Sequence, residues 1–82
     1  MIYLIDTNVL LRFLHQTDPH HSMAFNAVDA LKANGDQLRT TFQNFIVATM
    51  LTHNVTHLLT FDTSDFARYA PEGIVAVDPA SM

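Results

Sequence analysis

The sequence has no cysteine. That excludes a disulfide framework and a thiolate metal site, and leaves the redox compartment open. It also has no unbroken apolar stretch near the roughly 20 residues that a membrane-spanning helix needs, so no membrane association is expected. No repeat, low-complexity tract or linker interrupts its 82 residues, which predicts one small domain over 1–82. Cations are scarce: Arg12, Lys32, Arg39 and Arg68 stand against eight acids, for a formal net charge of -4. A simple nucleic-acid-binding module works through surplus positive charge, so any such affinity here must come from a local patch or a metal. Position six is an acid where a secretory signal would carry basic residues, and the expectation is a soluble, cytoplasmic protein. What the chain does have is apolar material, 49% of its residues against 15% charged, a globular rather than a disordered composition.

The most informative segment is the start. Ile2, Tyr3, Leu4 and Ile5 form a short apolar run that ends at once in Asp6-Thr7-Asn8. Val9, Leu10, Phe13 and Leu14 then follow at helical spacing, so Asp6 stands between a strand and a helix. Ligands of open α/β sheets bind beyond the carboxyl ends of the strands, which places Asp6 for chemistry. An aspartate at that point is equally an ordinary helix N-cap.

Further along, Asp18-Pro19 reads as an N-cap with proline at the first helical position. Ala24, Ala27, Val28 and Leu31 give the helix that follows an apolar face, and Asn34-Gly35 supplies a left-handed stop. Leu38, Thr40 and Phe42 alternate with polar residues, as in an edge strand with one better-buried face. A third helix is predicted from Gln43 to His53, ended by Asn54, which tolerates left-handed geometry. A strand from Val55 to about Thr60 is followed directly by Asp62, Thr63, Ser64 and Asp65, and Ile74–Val77 makes a last strand before Asp78-Pro79. Strands and helices alternate, which predicts a small, mostly parallel sheet with helices on its faces and Asp6 converging on Asp62 at one sheet edge. His20 and His21 point to different sides of a helix and read as surface residues. His53 and His57 flank a turn and read as structural.

The segment Tyr3-Leu4-Ile5-Asp6-Thr7-Asn8-Val9-Leu10-Leu11-Arg12 resembles the opening strand and first acidic motif of the PIN domain nucleases, which include VapC-type toxins of toxin–antitoxin pairs. Val55-Thr56-His57-Leu58-Leu59-Thr60-Phe61-Asp62-Thr63-Ser64-Asp65-Phe66 resembles that family's last acidic motif, and Thr40, Thr41, Gln43 and Asn44 resemble the end of its second strand and the start of the next helix. The resemblance implies a PIN-like three-layer α/β fold with its central helices missing, because the chain reads as shortened near Ile46-Val47. Val47 stands where the family has its second acid, and the third would lie near Gln43, so two of the family's four acidic positions have no counterpart.

By that resemblance the protein is a Mg²⁺- or Mn²⁺-dependent endoribonuclease, weakened or inactive for want of those acids, with RNA as substrate. Asp6 and Asp62 are its catalytic acids and, with Asp65, its metal ligands, while Thr7, Asn8 and Thr60 orient those groups. Mg²⁺ keeps several waters and is held by as few as one or two carboxylates when substrate phosphate completes its shell. Two acids therefore suit one metal better than two. The plainer roles are a turn cap for Asp62 and a solvated side chain for Asp65. A different class of function, a non-catalytic remnant that binds an antitoxin-like protein or a second copy of itself, follows from the apolar surface that a shortened core would uncover.

Overall fold

In the computed structural model, which describes residues 1–40 and 46–82, the sheet is built from the inside out. Strand β1 (Ile2–Ile5) is central and pairs in parallel with β2 (Gln37–Thr40) on one side and with β3 (His57–Leu59) on the other. Strand β4 (Val75–Val77) extends the sheet in parallel beyond β3, giving the order β2-β1-β3-β4. The expected edge position of β2 is what is found.

Period-two alternation sorts the strand residues onto two faces, and each face has its own core. On one face Ile5 and Leu59 pack with Val9 of helix α1 (Thr7–Leu14) and with Ala24, Ala27, Val28 and Leu31 of helix α2 (His21–Ala33). On the other, Leu4 and Leu58 pack with Ile46 and Met50 of helix α3 (Ile46–Thr52), and with Val55 and Ile74. Helix α4 (Thr63–Phe66) runs into a 3₁₀ segment (Ala67–Glu72), and their Phe66 and Tyr69 cover that second core. The fold is thus α/β, a small parallel sheet with helices on both faces. No helix among the described residues is long and apolar enough to cross a membrane.

Helix ends follow local chemistry. Gly35 has φ +85°, and the Gly35 N–H to Lys32 and Asp36 N–H to Leu31 carbonyl bonds, 3.1 and 3.0 Å, close α2 as a Schellman motif. Asn54 adopts φ 57° after α3, and Val55 N–H returns to the Met50 carbonyl at 2.9 Å. Val55 therefore completes the end of that helix rather than opening β3. The other departure is at Asp18. Its carboxylate accepts from the His20 backbone N–H at 2.7 Å, closing a turn, so α2 starts at His21 and not at Pro19. Phe42, expected in the second strand, and Gln43 to Phe45, expected in the third helix, lie outside the described residues.

Candidate functional site

The described strands are all parallel, so their carboxyl ends share one edge of the sheet. The chain leaves β1 for β2 on one side and later returns to β3 on the other, which makes the crevice between the ends of β1 and β3 a topological switch point. Asp6 leaves β1 at this crevice, and Thr60, Phe61 and Asp62 leave β3. The Asp6 N–H donates to the Leu59 carbonyl at 2.9 Å and stitches the two exits together.

Asp6 and Asp62 occupy N-cap positions, of α1 and α4, yet neither side chain makes a capping hydrogen bond. Their carboxylates are engaged across the crevice instead. Thr60 Oγ1 donates to Asp6 Oδ2 at 2.8 Å, and Asn8 Nδ2 donates to Asp62 Oδ2 at 2.8 Å. Asn8 Nδ2 also reaches Thr60 Oγ1 at 3.4 Å, the Asp62 N–H donates to that same hydroxyl at 3.0 Å, and the Phe61 N–H donates to Asn8 Oδ1 at 3.4 Å. With two donors directed at its oxygen, the Thr60 hydroxyl proton is left for Asp6, which fixes the direction of the network.

Burial grades across the site. Thr60 is 0% and Asp6 4% exposed, whereas Asp62 is exposed. Each carboxylate spends Oδ2 on the internal network, and among the described residues neither Oδ1 has a protein donor. The arrangement is a pair of anionic oxygens, one deep and one at the rim, held by neutral donors. Hard divalent cations take oxygen ligands of this kind. Among the described residues there is no group of three or more His, Asp or Glu side chains that could hold a metal ion.

Protein-family models, curated proteins and solved structures were all compared with the chain, and none matches.

Of the residues singled out in the sequence, Asp6, Asn8, Thr60 and Asp62 are brought together. Asp65 lies exposed in α4, and its side chain takes no part in the network. Thr7, half-buried at the start of α1, contributes no side-chain bond to it. Val47 is half-buried against the second core, and Gln43 lies outside the described residues.

Arg12 and Phe61 were given no role by the sequence and stand beside the site. Arg12 follows Asn8 by one helical turn, and its Nη1 donates to the Asn8 carbonyl at 3.3 Å while its guanidinium lies 5.9 Å from the centroid of the Phe61 ring. The His20 ring meets the same phenyl edge-on at 5.6 Å, and His21 Nδ1 sits 3.0 Å from the Arg12 carbonyl. Phe61 is visible only as one more apolar residue until the fold brings α1 against the end of β3.

Proposed function

We propose that this protein is a PIN-type, metal-dependent endoribonuclease that hydrolyses phosphodiester bonds of RNA at the crevice between β1 and β3. One observation carries the reading: two aspartates in helix-capping positions leave the caps unmade and are tied across the sheet edge through Thr60 and Asn8. A capping role gives no reason for that arrangement, and a ligand pair does.

Asp6 and Asp62 are the residues that would hold Mg²⁺ or Mn²⁺, which when bound supplies a polarised water and offsets charge on the departing oxygen. Thr60 holds the Asp6 carboxylate in one orientation by its hydroxyl, and Asn8 does the same for Asp62 through its amide. Asp6 is buried, so its carboxylate is held in one place, while the exposed Asp62 meets substrate from solvent. With the family's second acidic position filled by the apolar Val47, a one-ion site of modest activity is the form of this chemistry the chain supports.

The test is cleavage of a single-stranded RNA in Mg²⁺ or Mn²⁺ by the protein and by Asp6→Asn. Asparagine keeps an oxygen to accept from Thr60 and removes the charge, so the variant should fold and lose metal-dependent cleavage. Cleavage at the parental rate in the variant would sink the assignment.

A further inference from the structure

We propose that Arg12 is the residue through which this site holds a phosphate of a single-stranded RNA substrate beside Asp6 and Asp62, an assignment that rests on the nuclease reading above. The chain carries few cations and a net charge of -4, so a polyanion approaching two aspartates meets repulsion unless a positive group stands next to them. Arg12 is that group. Residues four apart share a helix face, so the side of α1 that presents Asn8 to Asp62 also presents Arg12.

Among the described residues, no ion pair consumes its charge. The ion pairs among the described residues join the Met1 amino group to Asp36 and His20 to Asp18, and neither involves Arg12. The one hydrogen bond its guanidinium makes among the described residues, 3.3 Å to the Asn8 carbonyl, is long, and its place over Phe61 is at the outer limit of about 6 Å for a cation–π contact. These contacts orient the guanidinium and leave most of its five N–H donors available, in the fork geometry that suits phosphate oxygens. Of the other three cations, Arg39 Nη2 donates to Gln37 on β2, Arg68 lies over Tyr69, and Lys32 stands in the last turn of α2.

The experiment is fluorescence anisotropy of a labelled single-stranded RNA in EDTA across a range of salt, with the protein, Arg12→Met and Arg12→Lys, each checked first by circular dichroism. Loss of one phosphate contact on a single strand should lower the slope of log K against log salt by about 0.7 and weaken binding about tenfold at low salt in Arg12→Met, while Arg12→Lys keeps the slope. As a readout independent of variant folding, RNA should shield Arg12 of the unaltered protein from phenylglyoxal, followed by mass spectrometry. Unchanged affinity and slope in Arg12→Met, undiminished modification of Arg12, or no RNA binding by the parent would each overturn the proposal. Metal-dependent cleavage, measured separately with Asp6→Asn, reports on the nuclease reading itself. Parental cleavage together with unaltered binding by Arg12→Met would therefore remove Arg12 alone.

Discussion

Thr60 is the residue on which the site turns. Its hydroxyl is fully buried, donates to Asp6 and accepts from the Asp62 N–H and the Asn8 amide, so one side chain connects both aspartates. Removing the hydroxyl leaves a buried carboxylate without its donor, a loss of about 1–3 kcal/mol or more because the acceptor is charged. Thr60→Ala should accordingly melt several degrees lower, at about 4–8 °C per kcal/mol for a domain of this size. Thr60→Ser, which keeps the hydroxyl, should recover most of that difference. Equal melting temperatures for the alanine and serine variants would show that the bond to Asp6 contributes nothing. At this scale the sequence was half legible: the acids announced themselves by position after apolar runs, while Thr60 and Asn8 were named beside them only through the family resemblance, since no periodicity or spacing marks a threonine as a partner of a distant acid.

Among the elements, helix ends were the best-read features and helix starts the worst. Asn34-Gly35 and Asn54 were recognisable as stops because left-handed φ values are available to few residue types, and both Gly35 and Asn54 adopt them. Gly35→Ala meets no steric obstacle near its Cβ, so its cost is that of the backbone conformation alone, about 1–2 kcal/mol. A urea titration should show the midpoint lowered with an unchanged slope, and a midpoint equal to the parent's would mean that the turn relaxes to accept a side chain. Asp18-Pro19 misled because the same residues that open a helix also close a turn, and here the Asp18 carboxylate bonds the His20 N–H two residues on. Val55 misled for a related reason. An apolar residue just after a helical stop reads as the next strand, but it is also the residue that packs back on the helix, and Val55 and Met50 share one core.

The whole molecule rests on two modest cores, one on each face of a sheet of four short strands. A chain of 82 residues buries too little surface for a wide margin of stability, so a ligand that binds only the folded state should register clearly. Mg²⁺ or Mn²⁺ at a hundred times its dissociation constant stabilises by about 2.7 kcal/mol, which in a domain this small raises the melting temperature by about 10 °C or more. Thermal melts followed by circular dichroism should show that rise in the protein and its loss in Asp6→Asn. An equal rise in both would place the metal somewhere other than the β1 and β3 ends.

The sequence by itself determined the four strands and the three longer helices, where α2 and α3 stop, and that two strands deliver acids at their ends, while α4 and the 3₁₀ segment after it went unread. Those are local properties, written in side-chain periodicity and in the backbone conformations that a few residues permit. Only the tertiary structure decided that β1 and β3 are neighbours, and with that the bonds of Thr60 to Asp6, of Asn8 to Asp62, and the seat of Arg12 on Phe61. These partners lie on α1 and the end of β3, far apart in the chain. Their meeting depends on strand order, which follows from how both faces of the sheet are buried at once and not from any signal inside either segment.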